Sequence, residues 1–327
     1  MSPASSAPTA LERLRRRSQA LVAVRAFFHA RDFIEVDTPH LVPGPGLEPH
    51  IDPLAVDVRA RADAAPERRW LATSPELAMK RLLAEGAQRI FQLAHVFRDG
   101  ERTRRHLPEF TLLEWYRAGG TLDDLVRDHE ELFAAVARAL DVEPPAVPFE
   151  RTTVAALFRA HASDVDLRAT LGHPRALVDA LRARGEVLRE GADFEDAFFH
   201  VMTRAEDVIG RARPVVVERW PASMAVLART CPDDPLFAAR FEIYAGGLEL
   251  TNAFDELTDP VEQRARFVAD NAARVALGKP ALPLDEAFLE ALARMPRAAG
   301  CALGFDRLLM LLTGAREIDD VTALPWR

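Results

Sequence analysis

Two apolar segments flank a short, strongly charged loop in the first half of the chain, and this arrangement constrains the fold most. The pattern predicts strands at residues 90–98 and 110–116, joined by a loop at 99–108. The loop and its borders carry four side chains suited to ligand binding: Arg98, His106, Phe110 and Glu114. An arginine can bind a phosphate through two parallel charge-assisted hydrogen bonds, and an aromatic ring can stack on a purine. The segment therefore indicates a nucleotide-binding hairpin, although an ordinary charged hairpin has the same pattern.

A glycine-containing segment near the C-terminus is the second candidate. Residues 300–307 have the sequence Gly-Cys-Ala-Leu-Gly-Phe-Asp-Arg, and the apolar run LLMLL follows. Glycine lets the backbone approach a ligand closely, and Arg307 at a helix start could cover a base or hold a phosphate. A glycine-containing helix entry with a surface arginine is the simpler interpretation of this segment alone. A third segment, FIEVDTPHL at residues 33–41, carries little information by itself.

The remaining pattern predicts an α+β fold. Helical periodicity is expected at residues 11–31, 77–85, 121–140, 261–278, 284–294 and 306–313, and residues 150–208 are expected to be mostly helical. Strands are expected at residues 33–36 and 214–217, with a hairpin at 241–254 broken by Gly246 and Gly247. Strands at both ends of the chain around a helical middle favour an antiparallel sheet flanked by helices.

Composition limits the classes of protein to consider. With 327 residues, 49% of them hydrophobic, the chain can bury a large core. The net charge of −8 does not favour binding to extended nucleic acid, and no apolar run approaches the ~20 residues of a membrane span. Two cysteines, Cys231 and Cys301, give neither a disulfide framework nor a metal-ligand spacing, so we expect a cytoplasmic protein. Residues 1–10 are small and polar, and we expect them to be disordered.

The order and spacing of the three segments resemble the three signature motifs of class II aminoacyl-tRNA synthetases. Residues 73–76 (TSPE), 79–82 (MKRL), 108–117 (PEFTLLEWYR) and 248–259 (LELTNAFDELTD) are similar to the lysyl branch of that family. The resemblance covers residues 11–327 and implies the catalytic fold of the family. It leaves a mostly helical insertion at about residues 141–213.

The resemblance implies an ATP site. It assigns Arg98 and Arg307 as the catalytic residues, with Arg98 on the α-phosphate and Arg307 on the face of adenine opposite Phe110. It assigns Mg²⁺ to Glu249. The complete expected ATP-binding set is Arg98, Asp99, Gly100, Arg104, His106, Leu107, Phe110, Glu249, Leu250, Gly304 and Arg307.

The resemblance also implies an amino-acid pocket rich in carboxylates, because a lysine-like substrate brings two ammonium groups. The expected substrate-binding residues are Ser74, Pro75, Glu76, Glu114, Tyr116, Asn252, Glu256 and Ala302. Glu249 and Glu256 are seven residues apart, which would place them on opposite faces of an ideal strand. We therefore expect a turn or bulge between them.

The sequence departs from the family pattern at two positions. Gly100 stands where the second motif has glutamate, and Glu101 or Asp99 is a possible substitute. Leu107 stands where the family has asparagine, which removes a side-chain contact to ATP. These departures motivate one alternative, a catalytically silent paralogue that acts as a regulator.

Lysyl-tRNA synthetases carry an N-terminal OB-fold that reads the anticodon, and here the first motif begins by residue 31. The chain therefore resembles the short paralogues that attach (R)-β-lysine to a lysine side chain of elongation factor P. Trp115 and Ala302 also match those paralogues. This resemblance implies ATP and Mg²⁺, (R)-β-lysine or lysine as substrate, elongation factor P as acceptor, a homodimer, and no role for tRNA. A truncated lysyl-tRNA synthetase is the other alternative, and the arginines of the loop keep it open.

Overall fold

The structure, a computed structural model, describes residues 8–162 and 164–326. Within them the chain forms ten α-helices and twelve β-strands. The helices are α1 (Ala10–His29), α2 (Glu76–Ala84), α3 (Leu122–Ala139), α4 (Val154–His161), α5 (Leu167–Thr170), α6 (Ala176–Ala183), α7 (Phe194–Glu206), α8 (Pro260–Ala276), α9 (Glu286–Leu292) and α10 (Phe305–Thr313). The strands are β1 (Ile34–Glu35), β2 (Leu41–Val42), β3 (Ala55–Val58), β4 (Glu67–Leu71), β5 (Arg89–Phe97), β6 (Glu109–Ala118), β7 (Glu150–Thr153), β8 (Val215–Pro221), β9 (Thr230–Cys231), β10 (Asp234–Ala245), β11 (Leu248–Asp255) and β12 (Ala298–Gly304).

Nine of the strands form one sheet, in the order β1-β5-β6-β12-β11-β10-β8-β7, with β9 paired to β10. Its central pairs are antiparallel, and only the two outermost pairs, β1 with β5 and β7 with β8, are parallel. The β10–β11 hairpin turns at Gly246 and Gly247, whose φ angles of 62° and 75° suit residues without a Cβ. The expected α+β fold around an antiparallel sheet is confirmed.

Helices α1, α3 and α10 cover one face of this sheet. Phe28 of α1, Phe133 of α3 and Leu308 of α10 join one core with Leu113 and Trp115 of β6. Side chains alternate between the two faces of a strand, so Leu112, Glu114 and Tyr116 point to the opposite face. That opposite face is the floor of the candidate site.

Residues 141–213 fold differently from the expectation in one respect. They contain the helices α4 to α7, but they also contain β7, which extends the main sheet by pairing with β8. The helices bury Phe158 and Phe198 against Trp220 of β8 and form a second core. The insertion is therefore packed onto the sheet edge through a continuous apolar contact.

Two further features were not predicted from the sequence. The small sheet β2-β4-β3 was not predicted, and residues 298–304 form the strand β12 rather than only a helix entry. Disorder was expected of residues 1–10; residues 1–7 lie outside the described residues, and the expectation is wrong for Thr9 and Ala10. Thr9 caps α1, which begins at Ala10. No helix among the described residues is long and apolar enough to cross a membrane.

Candidate active site

A cavity of about 690 Å³ opens above the free face of the main sheet. Its floor is built from residues that lie side by side on neighbouring strands. One row crosses five strands in register and consists of Gln92, Glu114, Ala302, Asn252 and Glu242. Because β6, β12 and β11 present every second residue to this face, side chains distant in sequence meet on one surface.

The end of the cavity near Phe110 and Gly304 is cationic. Arg98 follows the end of β5, and its guanidinium lies 5.0 Å from the centre of the Phe110 ring. Arg307 is the third residue of α10. It donates a hydrogen bond of 2.7 Å to the carbonyl oxygen of Glu249. Arg105 also lines the cavity. These cations suit a polyanion such as a triphosphate.

The imidazole of His106, at the cationic end of the cavity, is uncharged. Burial, and then the charge of Arg307, lowers the pKa of His106 to about 4, so the ring is uncharged at neutral pH. Its Nε2 accepts a hydrogen bond from Arg307, since a guanidinium can only donate. Nδ1 therefore carries the proton and donates to the hydroxyl of Thr103 at 2.7 Å. His106 thus orients Arg307 without adding charge.

The other end of the cavity is acidic. The separation from Phe110 to Tyr116 along β6 is six residues, or about 20 Å. Glu114 is fully buried and accepts hydrogen bonds from Ser74 at 2.5 Å and Tyr116 at 3.1 Å. Burial, and then the charge of Glu76, raises the pKa of Glu114 to about 8. A cationic ligand would favour the ionised form of this carboxyl.

A buried ion-pair cluster lies directly behind the acidic end. Lys80 of α2 places its ammonium 2.5 Å from Glu76 and 2.5 Å from Glu256. Although burial opposes the charge, the two carboxylates raise the pKa of Lys80 above its usual value. Glu76 lines the cavity, whereas Glu256 is fully buried beneath the floor.

The bulge expected between Glu249 and Glu256 is present. Ile243 pairs with Thr251 but Tyr244 pairs with Glu249, so Leu250 is an extra residue on β11. As a result Glu249 and Leu250 both line the cavity, together with Asn252 two residues further on. Because of the bulge, the side chain of Glu249 lies on the same face of β11 as the cavity-lining side chains of Asn252 and Phe254.

The structure separates the expected site residues into two groups. Those that line the cavity are Ser74, Glu76, Arg98, His106, Leu107, Phe110, Glu114, Tyr116, Glu249, Leu250, Asn252, Ala302, Gly304 and Arg307. Those outside the lining are Pro75, Asp99, Gly100, Arg104 and Glu256. Pro75 caps α2, and the guanidinium of Arg104 is turned to Glu317 at 2.9 Å. The functional roles of both groups stay predictions.

Several cavity residues lay outside the sequence expectations. Glu242 of β10 is buried beside Glu249, and burial followed by the charge of Glu249 raises its pKa to about 8. The insertion contributes Glu195, Phe199 and Glu206, all from α7. A helical pattern in an isolated sequence does not say which face meets a distant sheet. Glu242, by contrast, could have been inferred, because it occupies a cavity-facing position on the predicted hairpin.

The two departures from the family pattern have clear positions. Gly100 adopts a φ of 75°, and Glu101 rather than Asp99 faces the cavity, 3.8 Å from Arg98. Leu107 is buried at the cavity wall and belongs to the main core. Glu101 is therefore the better placed substitute for the missing glutamate.

Comparison with known proteins identifies the family of the chain. The family described as class II tRNA synthetases (D, K and N) matches residues 4–327. A protein of Histophilus somni (strain 2336) named elongation factor P–(R)-β-lysine ligase is 38% identical over 316 residues, covering 95% of this chain and 94% of its own. Proteins of the same name from Haemophilus influenzae (strain PittGG) and Vibrio vulnificus (strain YJ016) are 37% and 36% identical, covering 94% and 97% of their own lengths.

The chain belongs to the elongation factor P–(R)-β-lysine ligase family, a branch of the class II tRNA synthetases. It is therefore an enzyme of the ligase type, in a family that uses ATP.

Proposed function

We propose that this enzyme activates (R)-β-lysine with ATP and transfers it to a lysine side chain of elongation factor P. The observation that carries the proposal is the division of one cavity into a cationic end, with Arg98 and Arg307, and an acidic end, with Glu76 and Glu114. The names of the relatives favour this function over a truncated lysyl-tRNA synthetase or a silent regulator.

In the first step a carboxylate oxygen of the amino acid attacks the α-phosphorus of ATP. The bond to pyrophosphate breaks, and an aminoacyl-adenylate remains. Arg98 would stabilise the charge that grows on the α-phosphate, and Phe110 would stack on adenine. The guanidinium of Arg98 lies 5.0 Å from the centre of the Phe110 ring, so the two side chains proposed for phosphate and adenine are adjacent. Arg307 is already held by His106 and the Glu249 backbone.

Glu249 and Glu242 both line the cavity and would be the carboxylates available to a magnesium ion, although Glu242 is engaged by Arg240 and Tyr244. No group of three or more His, Cys, Asp or Glu side chains in residues 8–162 and 164–326 is arranged to hold a metal. Mg²⁺ commonly binds through only one or two carboxylates and completes its shell with substrate phosphates and water. When bound, it would neutralise phosphate charge. Glu249, which lies 3.7 Å from Arg307, would hold it, with Glu242 as the second carboxylate.

In the second step the neutral amine of the acceptor lysine attacks the carbonyl carbon of the adenylate. The carbon–oxygen bond to AMP breaks, the nitrogen loses a proton, and an amide forms. The enzyme contributes mainly by positioning the two reactants, because the adenylate is already activated. Phe199 of α7 lines the cavity and is also exposed to solvent, so the acceptor could contact it on entry.

Mass spectrometry tests the proposal directly. Purified elongation factor P would be incubated with this protein, ATP and either (R)-β-lysine or lysine. The expected result is a mass increase of one β-lysyl group on one lysine of the acceptor, dependent on ATP. Charging of tRNA instead would support the truncated synthetase, and no ATP–pyrophosphate exchange with any amino acid would support the silent regulator.

Assembly and location stay predictions. The exposed apolar side chains of α1 and β1, among them Val22 and Ile34, are consistent with the homodimer that the resemblance implies. Cys231 and Cys301 are free thiols, as expected of a cytoplasmic enzyme.

A further inference from the structure

Lys80 is a charged side chain with almost no access to solvent. Its side chain is 1% exposed, and its ammonium lies between Glu76, 13% exposed, and Glu256, which is fully buried. The ring of Phe254 is 6.0 Å from the ammonium and closes another side. A buried cation is costly unless its partners are well placed, so this geometry ties three charged groups to one another.

The chain is otherwise strongly biased against lysine. Of its 42 basic Lys and Arg residues, only Lys80 and Lys279 are lysines. An arginine at position 80 would bring a broad planar fork with five N–H donors, whereas lysine brings a compact point charge. The contacts of 2.5 Å to each of two carboxylates fit that compact group.

The two carboxylate oxygens of Glu256 have different surroundings. Oε2 lies 2.5 Å from the ammonium of Lys80, while Oε1 is buried with no hydrogen-bond partner among the described residues. Oε1 lies directly behind Gly300, since a Cβ at that residue would approach it to 2.5 Å and the Tyr116 ring to 2.2 Å. Gly300 and Tyr116 line the cavity. A buried carboxylate oxygen without a donor is costly, and a ligand ammonium at this point would satisfy it.

We propose that Lys80 is a positioning residue for amino-acid recognition, which holds one oxygen of Glu256 and so presents the other to the distal ammonium of the substrate. Lys80 does not touch the substrate. It also holds Glu76, whose carboxylate lines the same end of the cavity. This proposal rests on the proposed function, because it takes a cationic amino acid as the ligand.

The test compares (R)-β-lysine with (R)-3-aminohexanoic acid, which has the same chain but lacks the distal amine. Amino-acid-dependent ATP–pyrophosphate exchange gives kcat/KM for each compound and the KM for ATP. We expect Lys80→Met to reduce the preference for (R)-β-lysine about 10- to 100-fold, the size of a lost hydrogen bond to a charged group, with the KM for ATP changed less than about twofold. A merely structural defect would lower both substrates equally and raise the KM for ATP. Lys279→Met is the matched control, because Lys279 pairs with Asp52 away from Glu256.

Glu256→Gln and the double variant complete a mutant cycle. If Lys80 acts through Glu256, the preference in the double variant equals that of Glu256→Gln alone. Losses that multiply in the double variant, or a wild-type preference in Lys80→Met, overturn the proposal. The double variant removes the charges of Lys80 and Glu256 together, so the comparison with Glu256→Gln stays available if Lys80→Met does not fold. Absence of exchange with any amino acid in the wild-type enzyme would overturn the proposed function and this proposal together.

Discussion

Arg98 and Arg307 reach the cavity from elements more than 200 residues apart, the end of β5 and the start of α10. Their surroundings differ. Arg307 is held by His106 and the backbone of Glu249, whereas Arg98 makes one long hydrogen bond of 3.5 Å, to the Thr73 carbonyl. Arg307 is thus held by two hydrogen bonds, whereas Arg98 has one long hydrogen bond and looser contacts with Glu101 and Phe110.

Replacement of either arginine by alanine should lower adenylate formation about 100-fold or more, because each removes a donor to phosphate charge. ATP–pyrophosphate exchange measures the loss, and thermal unfolding checks that the chain still folds. Arg127→Ala, which removes an exposed arginine of α3, is the control and should retain activity. Near-normal exchange in Arg98→Ala or Arg307→Ala would contradict the assignment.

Ala302 lies in the floor row between Glu114 and Asn252, at the acidic end of the cavity. We predict that the wild-type enzyme prefers (R)-β-lysine over lysine, and that Ala302→Gly shifts this ratio toward lysine by about tenfold. One methyl group in a close-packed pocket has an effect of this size. Ala299→Gly removes a methyl from the opposite face of β12 and should leave the ratio unchanged. A wild-type preference for lysine would refute the prediction.

The raised pKa of Glu114 predicts proton release when the amino acid binds. Below pH 8 the free protein holds this carboxyl mostly protonated, and a cationic substrate favours the ionised form. Affinity should therefore rise as pH increases from 6 toward 8, by at most tenfold per unit for one proton. Calorimetry in buffers of different ionisation enthalpy would count the protons. Glu114→Gln should remove the release, and an affinity independent of pH in the wild type would disprove it.

At the scale of secondary structure, the charged loop at residues 99–108 is tied to a single 3₁₀ turn, Ile318–Val321. Arg102 pairs with Asp319 at 2.7 Å and Arg104 with Glu317 at 2.9 Å, and the backbone N–H of Ile318 donates to the carbonyl of Arg104. The C-terminal turn therefore holds the outer side of the loop that borders the cationic end of the cavity.

Removing both pairs with Glu317→Gln and Asp319→Asn should raise the KM for ATP about 2- to 5-fold, since exposed ion pairs contribute at most about 1 kcal/mol each. The melting temperature should change little. Added salt should raise the KM of the wild type and leave the variant less affected. Asp57→Asn, which breaks an exposed pair in the small sheet, is the control. An unchanged KM in the double variant would show that the turn does not order the loop.

Local sequence patterns predict the strands that form the floor of the cavity. They do not predict which helices of the insertion line its sides. The charged hairpin and the Gly246–Gly247 hairpin were predictable because turn chemistry and alternation act within about ten residues. The placement of α7 was not, because its cavity face, with Glu195 and Phe199, depends on how the insertion packs on β8. The short strands β2 and β7 also carry too few residues to show a period.

At the scale of the whole molecule, α1 and β1 leave apolar side chains uncovered on one surface. Val22 is 64% exposed and Ile34 is 61% exposed, while Phe28 of the same helix is buried in the core. A helix that is apolar on two sides commonly packs on two partners. The core supplies one, and a second copy of the chain would supply the other.

We predict a homodimer that sediments as such in analytical ultracentrifugation. Val22→Glu combined with Ile34→Glu should dissociate it, because charges would be buried in an apolar interface. Val261→Glu, a change at an exposed apolar residue of α8, is the control. A wild-type monomer at every concentration would refute the prediction.

The buried charge of Lys80 has one further consequence, for the fate of the reactive intermediate. An acyl-adenylate acylates any neutral amine within reach, including those of the enzyme that made it. Lys80 is held protonated between two carboxylates, and Lys279 is engaged by Asp52 and the Pro49 carbonyl. Because the other Lys and Arg positions are all arginine, the protein offers its own product few side-chain amines, and we expect little self-acylation during turnover.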